Sequence, residues 1–313
     1  MTEKTKPIFM IFLPLALFHA CTSQENKSQQ ETHPTPENHA KIDNHTRRDS
    51  PTRPRNDIAL TKKKEEENIK NLPPLPDNKK WKLVWNDEFN GSTLDKSKWS
   101  HVTWKAPGVD QPRRDGYWRD DAAALNGNGF LEMLVYKDHN KDRYIDGAIR
   151  TKGKFEKLYG YFEIRVKFQK EIGHWSAFWL MSDGVSSTAN EGVDGTEIDI
   201  FEKINPSDNK LFHTLHWDGY GKDHKSSHMQ SDKLNPSKEF HTVGVWWKED
   251  SYTFYVDGTE VWKTNAGGVC KVPSYIKITD EVGKWAGDIK NATLPDVWLV
   301  DYVRVYDVVN KTQ

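Results

Sequence analysis

The chain has 313 residues, which is enough for one large β domain or two small ones. Its 45 Lys and Arg nearly balance its 46 Asp and Glu, so no basic excess points to a nucleic-acid partner. The 13 Trp and 11 Tyr are many for this length, and such side chains serve both cores and platforms for sugar rings. Only two cysteines are present, which excludes a disulfide framework within the folded part; Cys270 is expected to be a lone buried thiol.

The beginning of the chain is typical of an export signal over residues 1–20, where an apolar run too short to span a bilayer follows a basic start. The residues Phe18-His-Ala-Cys21 then resemble a bacterial lipobox, in which the cysteine is lipidated after cleavage. Phe18 stands where Leu is usual. An ordinary cleaved signal is the alternative, but that kind of cleavage needs small residues near the cut. We therefore expect an exported lipoprotein of the cell envelope, anchored at the outer membrane or cell surface through Cys21.

Residues 21–78 are polar and contain several prolines, and large apolar side chains are scarce among them. Such a segment cannot bury enough surface to offset its ordering entropy, so we expect a disordered tether. A short helix around 62–70 is an alternative for part of it. The charge run there is interpreted as a solvated face and not as a binding patch.

Residues 79–308 form the predicted folded domain, and residues 309–313 are a tail. Short runs of alternating apolar residues are separated by turn signals such as Asn90-Gly91 and Asp257-Gly258. Many short strands at regular spacing predict an all-β sandwich or barrel. The predicted strands are 82–85, 130–136, 148–152, 160–168, 176–181, 196–202, 211–217, 241–248, 252–256, 275–279 and 297–306.

One predicted strand carries three carboxylates: Glu197, Asp199 and Glu202. Side chains alternate between the two faces of a strand, so Glu197 and Asp199 share a face and Glu202 has the wrong parity. One β-bulge after Asp199 would correct it, because a bulge adds a residue. The backbones of the two glutamates would then be about 13 Å apart. Side chains that lean together can reduce this to the roughly 5–5.5 Å between the carboxyls of a retaining glycosidase.

An ordinary amphipathic strand with a wet face is the alternative interpretation of this pattern. Three like charges on one face repel one another, and no Lys or Arg lies between them in the sequence. The surrounding motifs favour the chemical interpretation.

The motif Glu197-Ile-Asp199-Ile-Phe-Glu202 resembles the ExDxxE signature of glycoside hydrolase family 16, the group of laminarinases, lichenases, agarases and carrageenases. The similarity covers roughly residues 80–308, and the motifs keep the family's order. Further matching motifs are residues 147–155, Tyr159-Gly-Tyr-Phe-Glu163-Ile-Arg165, Gly173-His-Trp175-Ser-Ala-Phe-Trp179-Leu, Thr214-Leu-His216, Phe240-His-Thr, Trp247, Phe254-Tyr-Val-Asp-Gly258 and Val300-Asp301-Tyr-Val-Arg-Val-Tyr306.

This resemblance implies a β-jelly roll sandwich of the concanavalin A-like kind, with a concave substrate cleft. It implies that Glu197 is the nucleophile and Glu202 the general acid and base, with no cofactor in catalysis. Asp199 lies between them, and we expect its charge to raise the pKa of Glu202 and its hydrogen bonds to hold Glu197.

Several aromatic and polar residues are predicted to bind sugar. Trp175 and Trp179 match a family segment beside the cleft, and His216 matches a family histidine near the cleavage point. Trp217 stands where laminarinases often have Gly, and we expect it to place bulk at the cleft. Trp118 and Trp104 are candidate platforms further out, although a plain surface loop is the alternative for the segment 115–121. The resemblance also implies a structural calcium on the convex side, with Glu88 and Asp301 at matching positions.

We therefore expect a secreted, lipid-anchored, endo-acting retaining hydrolase of a β-linked polysaccharide, monomeric and without a nucleic-acid partner. A β-1,3- or mixed β-1,3/1,4-glucan is the first choice of substrate, because the segment 147–179 looks more like laminarinases than agarases. A marine galactan such as agar, porphyran or carrageenan is the alternative, but sulfated galactans demand a basic cleft. The cleft-side segments instead carry acids, namely Asp183, Glu191, Asp194 and Asp218. A transglycosylase and a non-catalytic sugar-binding module are further alternatives, and the carboxylates argue against the latter.

Overall fold

The computed structural model describes residues 72–103, 109–235 and 238–311. Within these ranges the chain is a sandwich of two sheets, one 11-stranded and one 8-stranded, in which all neighbouring strands are antiparallel except one parallel pair in the 11-stranded sheet. Helical structure in this part of the chain is confined to short 3-10 turns at Asp120–Ala122, Asp183–Ser186, Glu191–Asp194, Lys284–Ala286 and Ile289–Asn291. None of these turns is long and apolar enough to cross a membrane. The prediction of an all-β jelly-roll sandwich is confirmed.

The 11-stranded sheet forms the back of the sandwich and is ordered β17-β16-β15-β10-β19-β6-β7-β4-β3, with β1 beside β19 and β5 beside β6. Its strands are β1 Lys79–Asp87, β3 Gln111–Arg113, β4 Gly116–Trp118, β5 Ala123–Leu125, β6 Leu131–Asp138, β7 Arg143–Asp146, β10 Gly160–Lys167, β15 His241–Trp247, β16 Tyr252–Val256, β17 Thr259–Thr264 and β19 Asp296–Asn310.

The 8-stranded sheet carries the candidate site and is ordered β14-β13-β12-β11-β18-β8-β2, with β9 beside β18. Its strands are β2 Ser100–His101, β8 Ala148–Arg150, β9 Glu156–Lys157, β11 His174–Met181, β12 Glu197–Lys203, β13 Leu211–Trp217, β14 Lys225–Ser231 and β18 Ser274–Val282.

The main core fills the space between the two sheets. Strand β11 illustrates how alternation builds this core, because its alternate residues Phe178 and Leu180 are fully buried among the core side chains. Ile198 of the neighbouring strand β12 and Phe162 of the opposite sheet belong to the same cluster. Burying each such side chain contributes about 1.5–3 kcal/mol. The alternate residues of β11 and β12 are thereby directed to the other face of the 8-stranded sheet.

Every strand predicted from alternation is present, with ends that differ by a few residues. The edge strand β14 was missed, because its residues are mostly exposed and polar and show no apolar alternation. It forms by pairing with the backbone of β13 along its whole length. Cys270 is a buried free thiol, as predicted.

Candidate active site

Strand β12 contains the bulge that the three carboxylates require. Against β13, Asp199 pairs with Thr214 and Glu202 pairs with Phe212, so one strand has an extra residue between the two pairs. Against β11, the register shifts between Phe201 and Asp199, which makes Ile200 the extra residue. The shift restores the parity of Glu202. All three carboxylates therefore lie on the outer face of the 8-stranded sheet, which we call the site face.

A buried histidine holds this bulge in place. His213 Nδ1 lies 2.7 Å from the carbonyl oxygen of Ile200, and its Nε2 lies 2.8 Å from Ser231 Oγ. Burial lowers the pKa of His213 to about 4, so the ring is neutral. Because a carbonyl only accepts, Nδ1 donates to Ile200 and Nε2 accepts from the serine hydroxyl. The carbonyl of the extra residue is thereby satisfied inside the protein.

Each carboxyl on the site face has its own polar neighbour. The Tyr220 hydroxyl donates to Glu197 Oε2. Trp175 Nε1 donates to Glu202 Oε1 over 3.2 Å. His216 Nε2 lies 3.4 Å from Asp199 Oδ2.

Burial raises the pKa values of both glutamates, but their neighbouring charges and hydrogen bonds differ. Burial raises the pKa of Glu202 to about 8, helped by the negative charges of Glu197 and Glu281. Burial also raises the pKa of Glu197, but the Tyr220 hydrogen bond and then the charge of Lys277 lower it. Glu202 is therefore a carboxyl that keeps its proton near neutral pH. Glu197 is the carboxyl whose ionised form receives a hydrogen bond from Tyr220 and the attraction of Lys277.

Asp199 is coupled electrostatically to both glutamates. Burial, followed by the charges of Glu197 and Glu202, raises the pKa of Asp199 well above its usual range. The charges that chiefly raise the pKa of Glu202 belong to Glu197 and Glu281. Because the repulsion between Asp199 and Glu202 is mutual, an ionised Asp199 also raises the pKa of Glu202, and the three carboxyls compete for protons.

A group of cations that the sequence analysis did not associate with the site lies on the same face. Lys277 pairs in register with Trp179 on one side and Arg150 on the other, and its Nζ lies 3.5 Å from the centroid of a Trp179 ring. Burial lowers the pKa of Lys277 to about 7. No described residue accepts a hydrogen bond from its ammonium group.

Two arginines stand beside Lys277 and share one carboxylate. Arg113 bonds to Glu281 Oε1 over 3.0 and 2.7 Å, and Arg114 bonds to Glu281 Oε2 over 2.5 Å. The Arg114 guanidinium also lies 5.3 Å from the centroid of the Trp175 ring. Two cations against one anion leave this edge of the site positive. The sequence does not indicate this contact, because Arg113 and Arg114 are more than a hundred residues away from Glu281.

The acids that were expected to make the cleft negative are engaged by other side chains. Three of them have lysine partners, and Asp194 accepts a hydrogen bond from Ser187 over 2.5 Å. The ion pairs are Lys152–Asp183, Lys225–Asp218 and Lys225–Glu191.

The structure brings together three of the predicted sugar-binding residues. Trp175 and Trp179 lie side by side on the site face, in one cluster with Ala177 and Ala286. His216 pairs in register with Glu197. Both tryptophans are largely buried, and their indole nitrogens bond to Glu202 and to Thr279. They form the floor around the carboxyls.

Two other predicted sugar-binding residues are buried, Trp217 in the main core and Trp118 beside the cations, where Lys277 Nζ lies 5.5 Å from its ring centroid. Trp217 belongs to the main core, where its ring packs against Gly267, so it places no bulk at the site. Strand alternation already requires this, since Trp217 follows His216 and must face the opposite way. Trp118 is only 2% exposed, and its indole donates to the Asp280 carbonyl oxygen. Trp104 lies outside the described residues.

Each of the two residues predicted to hold calcium has an arginine partner. Glu88 forms two bonds with Arg304, of 2.8 and 2.9 Å, and Asp301 bonds to Arg165 over 2.7 Å. The guanidinium groups supply the positive charge that a metal would bring. The calcium site stays a prediction, and these pairings count against it.

Two further residues near the carboxyls were missed. Tyr220 comes from the loop after β13, where Asp218 and Gly219 adopt positive φ angles of 59° and 75° and turn the chain back. Trp285 lies on the Lys284–Ala286 turn and packs against Trp175. The glycines beside Tyr220 and Trp285 in the sequence indicate turns at both places. They do not indicate that either side chain lies near the carboxyls.

A two-sheet β sandwich that carries a bulged strand with three carboxylates defines the class of site, and comparison with known proteins defines the family. The model of the family described as "Beta-porphyranase A-D, GH16 domain" matches residues 81–308. The chain belongs to this family.

Several relatives extend this finding. The chain is 28% identical over 246 residues to "Keratan-sulfate endo-1,4-beta-galactosidase" of Sphingobacterium multivorum, which covers 72% of this chain and 55% of the relative. It is 29% identical over 296 residues to "Beta-porphyranase B" of Phocaeicola plebeius, and this match covers 78% of this chain and 90% of the relative. The solved catalytic domain of an endo-1,3-beta-glucanase (laminarinase) from Thermotoga petrophila matches with a TM-score of 0.61 and 27% identity, over 75% of this chain and 100% of that one. The chain spans about half or less of the length of several curated relatives.

Proposed function

We propose that the protein is an endo-acting, retaining glycoside hydrolase of a β-linked polysaccharide. The observation that carries this proposal is the pair Glu197 and Glu202 on one bulged strand. One carboxyl is supported in its ionised form by Tyr220, and the other has a pKa of about 8 and keeps a proton. Two carboxyls whose surroundings differ in how well they support the ionised form can divide the roles of nucleophile and acid between them.

The reaction follows from these two protonation states. The Glu197 carboxylate attacks the anomeric carbon, the bond to the leaving oxygen breaks, and that oxygen takes the proton of Glu202. The Glu202 carboxylate then takes a proton from water, whose oxygen attacks the same carbon and releases Glu197. Configuration at the anomeric carbon is inverted twice and so retained. Proton NMR of the earliest product tests this proposal: the β-anomer is expected first, and an α-anomer at first appearance would contradict the role of Glu197.

We propose a β-linked galactan that carries sulfate as the substrate. The family match and the cations Arg113, Arg114 and Lys277 support this choice over the glucan expected from the sequence. The Lys277 side chain is only 6% exposed, its ammonium group has no hydrogen-bond acceptor among the described residues, and burial disfavours its charged form. A sulfate oxygen would supply that acceptor and favour the charged form of Lys277. A β-1,3- or mixed-linkage glucan is the second candidate, favoured by the likeness to the laminarinase structure.

A substrate panel tests this choice. Porphyran, desulfated porphyran, keratan sulfate, laminarin and lichenan would each be incubated with the enzyme, and the products sized by chromatography. Endo-cleavage of a sulfated galactan into short oligosaccharides is expected. Lys277→Gln should lower kcat/KM more on sulfated than on desulfated polymer. Activity on laminarin or lichenan alone would contradict the sulfated substrate while leaving the hydrolase proposal intact.

We further propose export and anchoring to the cell envelope through a lipid on Cys21, supported by the Phe18-His-Ala-Cys21 motif. A lipid chain anchors by burying methylene groups in the bilayer. Cys21→Ser should move the protein from the membrane fraction to the soluble fraction. Failure of the wild-type protein to incorporate labelled fatty acid would contradict the anchor.

A further inference from the structure

Trp285 is a large apolar side chain that the fold leaves in solvent. It is 47% exposed, and no other tryptophan in the described ranges is as exposed. Its neighbours in the sequence are Lys284 and Ala286, in a short turn between Gly283 and Gly287. An indole in this position contributes little to the core, and it stands against two further aromatic rings, those of Trp175 and Phe212.

The turn that carries Trp285 is held rigidly by Gly173. Gly173 N donates to the Ala286 carbonyl over 2.7 Å, and Gly283 N donates to the Gly173 carbonyl over 3.1 Å. A Cβ at position 173 would lie 2.3 Å from the Ile289 Cα, so only glycine allows this approach. The indole is therefore presented from a fixed backbone, which lowers the entropy cost of binding against it.

The position of Trp285 places it on the Glu202 side of the site. Its ring contacts Trp175 at 5.4 Å between centroids with an interplanar angle of 84°. It contacts Phe212 at 5.2 Å and 62°. Trp175 donates to Glu202, and Phe212 pairs with Glu202 in register on the next strand. Both neighbours of Trp285 are thus direct neighbours of Glu202.

We propose that Trp285 and Phe212 form a platform for the pyranose ring on the leaving-group side of the bond that is cut. This proposal rests on the proposed function, in which Glu202 protonates the oxygen of that ring. A pyranose presents an apolar C–H face to an indole and keeps its hydroxyls in water. In the second half of the reaction the same platform would hold an acceptor sugar, so it also favours transfer over hydrolysis.

The experiment compares two substrates, of which only one has a sugar ring as its leaving group. One is the polysaccharide that the wild-type enzyme depolymerises, with porphyran tried first and laminarin second. The other is a disaccharide β-fluoride of the released sugar, whose leaving group has no ring to stack. Trp285→Ala is expected to lower kcat/KM on the polymer about tenfold, the loss of one aromatic contact. Fluoride hydrolysis should be unchanged, and the ratio of transfer to hydrolysis products should fall. Trp285→Tyr should keep most of the polymer activity.

Leu83→Ala is the matched control, because Leu83 is 45% exposed on the other sheet. It should leave both substrates unaffected. An equal loss on fluoride and polymer, or a displaced basic limb of the pH profile, would mean that Trp285 acts only through Trp175 on Glu202, and would overturn the platform. Unchanged polymer activity in Trp285→Ala would overturn it as well. A wild type that cleaves the fluoride and no polymer, or neither, would refute the proposed function and the platform with it.

Discussion

The molecule buries two clusters of acidic side chains, of which one is paired with a cation and the other is not. Behind the site, His174 is fully buried between two carboxylates, with Nδ1 3.0 Å from both oxygens of Asp280 and Nε2 3.2 Å from Asp296 Oδ2. Although burial lowers it, the charges and hydrogen bonds of the two aspartates raise the pKa of His174 to about 10. This cluster encloses its own cation. On the site face, Glu197, Asp199 and Glu202 stand together with no bonded cation between them.

The difference shows what each cluster is for. A buried carboxylate that only supports the fold is paired, because an unpaired buried charge costs several kcal/mol. Asp146 accepts a hydrogen bond from Val282 N but forms no ion pair with the described residues, and burial together with the charge of Asp280 raises its pKa well above the usual range. Burial and mutual repulsion likewise raise the pKa values of the carboxyls on the site face. Groups whose pKa values are shifted in this way are suited to proton transfer. The pairing suits a cluster that stabilises the sandwich, and the unpaired cluster is the one we propose to be reactive.

The strongest test of the unpaired cluster is Glu197→Gln. The amide keeps the shape and removes the nucleophile, so turnover should fall about a thousandfold or more. Thermal stability should be unchanged or higher, because one of three repelling acids is gone. Initial rates and calorimetry measure the two effects. Glu260→Gln, an exposed change on β17, is the control, and wild-type-like turnover in Glu197→Gln would refute the nucleophile.

The paired cluster is tested by His174→Gln, which leaves Asp280 and Asp296 without a cation. We expect the free energy of unfolding to fall by about 3–5 kcal/mol, the usual result of breaking a buried pair. The folded pKa of His174 is raised above its unfolded value, so its contribution is complete below about pH 6.5. It is lost as the pH rises toward about 10, so the deficit of the variant should shrink over that window.

Denaturant unfolding at several pH values provides the measurement. His139→Gln is the matched control, because His139 is exposed. A His174→Gln variant as stable as this control would show that the two acids do not depend on the histidine.

A smaller effect is expected from Tyr220→Phe. The Tyr220 hydroxyl lowers the pKa of Glu197, so its removal should raise that pKa and move the acid limb of the kcat/KM profile to higher pH. Activity at the optimum should fall about tenfold, the value of one hydrogen bond to a charged group. Tyr144→Phe, outside the site, should change neither quantity. An acid limb that stays in place would mean that the hydroxyl does not support the nucleophile.

Much of this site could be predicted from the order of residues along single strands. Alternation placed Glu197 and Asp199 on one face, and the parity of Glu202 required the bulge that Ile200 supplies. The same rule, applied to Trp217, would have assigned it to the core. Contacts between segments that are distant in the sequence could not be predicted. Arg113 and Arg114 meet Glu281 across the sheet edge, and His213 supports the bulge from the next strand.

The smallest expected effect concerns the general acid and tests whether a distant segment tunes it. The wild-type enzyme should lose activity as the pH rises through about 8, because Glu202 then gives up the proton that the leaving oxygen needs. The negative charge of Glu281 helps to hold that proton. In Glu281→Gln this charge is gone and Arg113 and Arg114 lose their partner, and both changes favour the ionised form of Glu202.

The basic limb of Glu281→Gln should therefore move to lower pH, by less than about one pH unit. The kcat/KM profile, measured from neutral pH upward, reports this limb for the free enzyme. Glu239→Gln breaks a surface pair with Lys167 and serves as the control, with no shift expected. A basic limb that stays in place or rises would mean that the Glu281 charge does not reach Glu202, and that burial and Glu197 alone set the proton affinity of the acid.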